Sequence, residues 1–180
     1  RRADKAKNYT HWSVKIRDAT NADSEEVIDL ISSIYDEYGE IMYTDGADKD
    51  LLDINQHYHK SGGDFVVLED DQKRIVGSHA TLPKDQSAGL LTFRRLYLEK
   101  SMRGSGAGKT LMDWAVNWAK DHEYKRIEFW SDTRFKRAHQ FFENYGFHST
   151  GEIRDMDDGA LPYSEYFFSL NLSSWVSSKR

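Results

Sequence analysis

Hydrophobic positions along this chain switch repeatedly between a period of two and a period near 3.6. Val14-Lys15-Ile16-Arg17 alternates apolar with basic residues, as a half-exposed strand does. Val27, Ile31, Ile34 and Tyr38 then recur at helical spacing, which predicts a helix with Asn21 or Asp23 as its cap. Asp45-Gly46-Ala47-Asp48 separates it from a second helix near residues 51–59, which Ser61-Gly62-Gly63 ends. Strands follow at 65–69, 75–82 and 90–98, with Asp70-Asp71-Gln72-Lys73 as the turn between the first two. The helical period returns at Leu111, Ala115, Trp118 and Ala119, in a helix running to about Glu123. Ile127 and Phe129 mark another strand, and 135–144 another helix, stopped by Gly146. Closing strands fit 148–156 and 163–172, joined by Asp157-Asp158-Gly159-Ala160-Leu161-Pro162. Consecutive hairpins mixed with helices predict a mixed sheet rather than an all-parallel one.

Composition narrows the classes. A length of 180 residues suits one domain, expected over 11–174, between a mobile charged segment at 1–10 and a tail at 175–180. Trp 5, Tyr 10 and Phe 9 argue for a substantial core and against disorder. A net charge of −5 argues against nucleic acid as a partner. Cys 0 excludes disulfides, thiolate metal sites and a cysteine nucleophile, and fits the reducing cytoplasm, the expected location. No apolar run approaches membrane-spanning length, so no membrane partner is expected. Asn8-Tyr9-Thr10 and Asn171-Leu172-Ser173 match the glycosylation pattern, read as chance in a chain without a visible secretory signal. His57 and His59 stand at i and i+2 on a predicted helix and face different ways, so no metal is expected.

The segment with the most chemistry is Arg103-Gly104-Ser105-Gly106-Ala107-Gly108-Lys109-Thr110, between a strand ending Leu96-Tyr97-Leu98 and a helix opening at Leu111-Met112. A glycine-rich loop that opens a helix is an anion site. Its glycines let a ligand approach the backbone, and the first N–H groups of the helix lack acceptors. A nucleotide P-loop needs a glycine where Arg103 stands, and Gly104 is one residue too close. The dinucleotide pattern fails at Lys109. Arg-x-x-Gly-x-Gly, a pyrophosphate loop, is matched in full by Arg103, Gly106 and Gly108.

The stretch LYLEKSMRGSGAGKTLM, from Leu96 to Met112, resembles the acetyl-CoA-binding core of the GCN5-related N-acetyltransferase (GNAT) superfamily. Arg126-Ile-Glu-Phe-Trp130 and Ala138-His-Gln-Phe-Phe-Glu-Asn-Tyr-Gly-Phe147 extend the resemblance, which covers residues 74–172 in detail. It implies an α/β (α+β) GNAT fold, a mixed and mostly antiparallel sheet of about seven strands flanked by about four helices, splayed at the acetyl-CoA site. It implies acetyl-CoA as co-substrate and a primary amine as acceptor, with no metal. The pyrophosphate would take backbone N–H groups of Gly104, Ser105, Gly106, Ala107, Gly108, Lys109 and Thr110, with Arg103 or Lys109 as counter-charge. The pantetheine arm would lie along Leu96, Tyr97 and Leu98 as an added strand.

The acid that protonates the departing thiolate is a tyrosine in many members. Here Phe142 occupies that place beside the cofactor, and Tyr145, one turn on, is the candidate substitute. The family's asparagine at the start of that helix is replaced by Phe135. No glutamate precedes the loop on its strand, which leaves Glu99, Asp132, His79 and His139 as candidates for the base.

Asp36, Glu37, Glu40, Asp45, Asp48, Asp50 and Asp53 would form an acidic rim that draws a cationic amine, such as a polyamine. Alternation places Arg94 and Arg95 on opposite sheet faces, one of them able to hold a carboxylate and so favouring an amino-acid-like acceptor. The competing classes are a non-catalytic acyl-CoA-binding regulatory module, a protein lysine or N-terminal acetyltransferase, and a nucleotide-phosphate enzyme. The aromatic strand 163–172 is a candidate edge for a homodimer.

Overall fold

The computed structural model describes residues 13–175, so the expected N-terminal segment, the Asn8 sequon and the end of the C-terminal tail lie outside the described residues. Seven strands form one sheet: β1 (Val14–Asp18), β2 (Asp64–Asp70), β3 (Ile75–Asp85), β4 (Leu90–Leu98), β5 (Arg126–Asp132), β6 (Ile153–Met156) and β7 (Tyr163–Asn171). Their spatial order is β1-β2-β3-β4-β5-β7-β6, with every neighbouring pair antiparallel except β4 and β5. The helices are α1 (Ser24–Asp36), α2 (Ile54–His57), α3 (Ala107–Asp121) and α4 (Lys136–Tyr145).

Strand β2 explains how the layers stack. Its run Phe65-Val66-Val67-Leu68 is buried on both faces. Phe65 and Val67 pack with Val27, Ile31 and Ile54 of α1 and α2, while Val66 and Leu68 pack with Leu111 of α3. A strand covered on both sides has no use for polar alternation, which is why this one reads as continuous apolar sequence. A third cluster sets Phe93, Phe129 and Phe168 of the sheet against Met112 of α3 and Phe142 of α4.

Local chemistry moves several boundaries. Asp23 stands at the N-cap of α1 without a side-chain cap bond, and the 3-10 turn Asn21–Asp23 before it is capped by Thr20, whose hydroxyl accepts from Ala22 N while Asp23 accepts from Thr20 N at 2.9 Å. The expected second helix is only one turn long, α2, between short 3-10 turns at Lys49–Leu52 and His59–Ser61. Its His59 is bound by Asp64 at 2.8 Å and by the Ala19 carbonyl at 2.6 Å. Gly146, at φ +124°, ends α4 in a conformation that side chains rarely adopt.

Strand β7 is not an edge. It lies between β5 and β6, so the edge-to-edge dimer expected of it is corrected: both sides of this strand pair within the chain.

Candidate active site

Two departures from regular pairing shape the middle of the sheet. Strands β4 and β5 pair only at Leu90 with Arg126 and Leu91 with Ile127. Beyond Leu91 they diverge, and the edge of β4 that faces the gap has no strand partner. The second is a bulge. Ser78 faces Tyr97 and Ala80 faces Arg94, so Arg95 and Leu96 together oppose the single residue His79.

Arg95 adopts φ +60°, the left-handed region, in which a bulky side chain costs about 1–3 kcal/mol unless its surroundings hold it there. They do. Ser78 Oγ donates to the Arg95 carbonyl at 2.7 Å. The guanidinium donates to Asp50 from Nε at 3.0 Å, to Asp48 at 3.0 Å and to the Ala47 carbonyl at 3.1 Å. Tyr58 donates to Asp50, and Tyr35 donates to Asp48 at 2.8 Å. Burial would raise the Asp50 carboxyl, but the charge and hydrogen bonds of Arg95 outweigh it and hold the group at about 2.

This bulge corrects the alternation reading. Arg94 and Arg95 lie on the same side of the sheet, because the extra residue turns Arg95 back toward α1 and α2. It also thins the acidic rim, of which Asp36 and Asp45 stay exposed. Asp48 and Asp50 are buried partners of Arg95, Glu37 is paired with Arg103, Glu40 with Arg134, and Asp53 caps α2.

Two cavities open into the gap. The loop cavity, about 390 Å³, is lined by Leu96, Tyr97 and Leu98 of β4, by Arg103, Gly104, Gly106, Gly108 and Lys109 of the loop, and by Arg137 and Phe141 of α4. Gly106 caps α3 at φ +90°, and a Cβ there or at Gly104 would meet nothing within 4 Å. The N–H groups of Gly106, Gly108 and Lys109 find no acceptor among the described residues, while that of Ala107 is taken by Ser105 Oγ. Open space beside N–H donors that lack acceptors leaves the loop able to receive an anion. Arg103, however, is held by Glu37 and Lys109 by Asp113, whereas Arg137 has no carboxylate partner among the described residues. Sequence reasoning missed Arg137, although it stands one position before Ala138 of the matched helix segment.

The gap cavity, about 180 Å³, lies between Arg94–Tyr97 of β4 and Phe129–Asp132 of β5, under Glu40, Ile41 and Asp48 on one side and Tyr163 and Glu165 on the other. The two cavities share Leu96, Tyr97, Phe135 and Ala138, so they meet at the bulge. Phe142 forms part of the floor of the gap cavity.

Tyr145 lines neither cavity. Its hydroxyl donates to Asp113 at 2.6 Å and its ring stacks on Trp175. One turn beyond Phe142 points it around α4 toward α3, where burial and Asp113 push its hydroxyl far above the usual range.

Of the candidate bases, Glu99 and His139 line neither cavity; His139 bonds Ser131 at 3.1 Å. His79 and Asp132 line the gap cavity. Asp132 is bound by Arg134. His79 is buried, bonds the Leu111 carbonyl through Nδ1 at 3.1 Å and leaves Nε2 unpartnered; burial lowers its imidazole to about 4. Glu165, which sequence reading passed over, faces Asp132 across β5 and β7. Burial, with Asp132 nearby, raises its carboxyl above the usual range against the pull of Arg154. Both Arg154 nitrogens bond Oε1, so Oε2 has no donor among the described residues.

Comparison with known proteins decides the family. Residues 28–147 match the model of the Acetyltransferase (GNAT) family. The chain belongs to that family. It is 31% identical over 106 residues to N-acetyltransferase 8F1 of Rattus norvegicus, a match covering 57% of this chain and 48% of the relative, so the chain spans about half of that protein's length. It is 24% identical over 143 residues to the N-acetyltransferase YjgM of Escherichia coli (strain K12), covering 78% of this chain and 85% of that one. A GNAT-family acetyltransferase structure from Staphylococcus aureus Mu50 superposes with a TM-score of 0.77 at 24% identity, over 89% of this chain and 99% of the other. This GNAT member therefore shares the fold, mostly antiparallel and open between β4 and β5. Among the described residues no helix is long and apolar enough to cross a membrane.

Proposed function

We propose that this GNAT member is an acetyl-CoA-dependent N-acetyltransferase that moves the acetyl group directly to a primary amine of a small molecule in the cytoplasm. The observation that carries the reading is the meeting of the two cavities at the bulge. The loop cavity fits a long anionic ligand. Gly106, Gly108 and Lys109 offer N–H groups to a pyrophosphate, Arg137 offers a free charge, and the unpaired edge of β4 offers backbone groups to the amides of a pantetheine arm. An arm laid along that edge would bring its thioester toward Leu96 and Tyr97, which line both cavities.

The amine nitrogen attacks the thioester carbonyl carbon. A C–N bond forms, the C–S bond breaks, and the electron pair leaves on sulfur. A backbone N–H on the unpaired edge of β4 stabilises the oxyanion between these events. Glu165 Oε2 takes the amine proton, since its raised carboxyl is a stronger base than an ordinary one. A thiolate is the conjugate base of an acid of pKa about 8.5, so it leaves without the side-chain acid that Phe142 cannot provide. The cavity volume of about 180 Å³ falls below the ~300–1,000 Å³ of drug-sized sites, which favours a small acceptor over a protein segment.

The test is thermal stabilisation by acetyl-CoA, CoA and ATP, followed by turnover on a panel of amines. Stabilisation by both CoA compounds and acetylation of an amine support the reading. Stabilisation without turnover identifies a binding module, and stabilisation by ATP alone sinks the donor assignment. Gly108→Asp places a carboxylate in the cradle with only Phe141 within 4 Å of its Cβ, and should abolish CoA binding while preserving the fold.

A further inference from the structure

Among the described residues every arginine except Arg94 and Arg137 is paired with a carboxylate. Each exception lines a cavity: Arg137 the loop cavity, Arg94 the gap cavity. Arg137 has a reason in the anionic donor. Arg94 needs another anion.

The protein does not supply one. The Arg94 charge reaches Asp50 through space and helps hold it low, but Asp50 is fully engaged by Arg95 and Tyr58. On the cavity wall, Asp48 is taken by Arg95, Tyr35 and the Tyr43 N–H, and Glu40 by Arg134 and the Ile41 N–H. Asp132 is taken at both oxygens by Arg134. Among these four wall carboxylates only Glu165 keeps a free oxygen, Oε2. The cavity thus presents one unclaimed guanidinium and one unclaimed carboxylate oxygen.

We infer that the acceptor is an amino acid, with its carboxylate held by Arg94 and its amine directed to Glu165 and the bulge. This rests on the transferase reading above and names its substrate class. A guanidinium fork binds a carboxylate through two parallel hydrogen bonds, and an exposed arginine inside a cavity has that fork free. Arg94 lines the same cavity as Leu96 and Tyr97 at the junction and as Glu165 opposite, so a carboxylate held by Arg94 leaves the amine of a small molecule inside that cavity. A polyamine fares worse. It brings several cations to a wall whose carboxylates are already neutralised by Arg95, Arg134 and Arg154, and it leaves Arg94 facing a like charge.

The experiment uses matched pairs: each amino acid against the amine formed by its decarboxylation, with putrescine and spermidine added. The wild type should favour the amino-acid member of its best pair on the order of 10- to 100-fold in kcat/KM, the range for a charged hydrogen-bonded pair. Arg94→Ala should erase that preference through KM, and Arg94→Lys should restore part of it. Acetyl-CoA affinity should be the same in both variants, and circular dichroism should show both folded. Titration calorimetry of the preferred amino acid against wild type and Arg94→Ala, without donor, reads the carboxylate contact directly even if no turnover occurs. Equal or better use of the decarboxylated amines, or amino-acid binding that survives Arg94→Ala, overturns the inference. Failure of the transferase reading shows separately, as absence of stabilisation by CoA in the wild type and variants alike.

Discussion

Arg95→Met is the substitution that tests the bulge most directly. It keeps the side-chain stem and removes the charge. The guanidinium is 6% exposed, and its partners Asp48 and Asp50 are 4% and 5% exposed, so solvent cannot replace it. Two carboxylates are then left buried beside two tyrosine hydroxyls. Breaking a buried ion pair by removing one partner costs about 3–5 kcal/mol. That is a large part of a total of about 5–15 kcal/mol, so the protein should stay folded at 25 °C with little reserve. For a chain of this size the melting temperature falls by about 2–4 °C per kcal/mol, which gives a drop of roughly 6–20 °C. Urea unfolding followed by circular dichroism measures the change at constant slope.

The acid limb should move as well. In the wild type, Asp50 contributes stability above pH 3.8 that is lost as the pH falls through about 2. Without Arg95, burial raises that carboxyl, so the loss should begin at higher pH. Asp50→Asn added to Arg95→Met should recover part of the stability, with a coupling above about 1 kcal/mol. A loss below about 1 kcal/mol for Arg95→Met, or strict additivity in the double variant, would show that the cluster does not hold the bulge.

Tyr145→Phe should leave kcat unchanged and cost about 1 kcal/mol of stability, since its hydroxyl bonds Asp113 outside both cavities; a tenfold fall in kcat at unchanged stability would restore it as the acid. Glu165→Gln should lower kcat on the order of 10²-fold or more and flatten the acid limb of its pH profile, and an unchanged profile would assign the proton to water. His79 is held at about 4 by burial against 6.5 unfolded, so the unfolded chain binds the extra proton between these values. Stability should therefore fall by about 3 kcal/mol as pH drops from 6.5 to 4, and His79→Leu should remove that part of the slope; an identical slope in the variant would refute the assignment.

The loop and its flanks were legible because their signals are local. Glycine spacing, an apolar strand before and a helical period after need no knowledge of the rest of the chain, and the structure has Gly106 at the cap of α3 as that pattern requires. Strand and helix order followed for the same reason, since burial on one face imposes its period on neighbouring residues. Family membership was equally readable, being carried by contiguous motifs within the matched 28–147.

Charge was not legible in this way. Asp48 and Asp50 read as solvated acids on a rim, yet they are buried, because a bulge some 45 residues away turns Arg95 toward them. Nothing in Leu91-Thr92-Phe93-Arg94-Arg95-Leu96 announces an extra residue in the ladder; it exists only against β3. The direction of Tyr145, the cover over β7, and the pairing of Glu37 with Arg103 across 66 positions are likewise facts of packing. The sequence by itself determined the order of strands and helices and the glycine-rich loop that opens α3, since those depend on backbone geometry and nearest neighbours. Only the tertiary structure decided which charges cancel and which stay free, because an ion pair depends on distance in space and on how much water the fold leaves between its members.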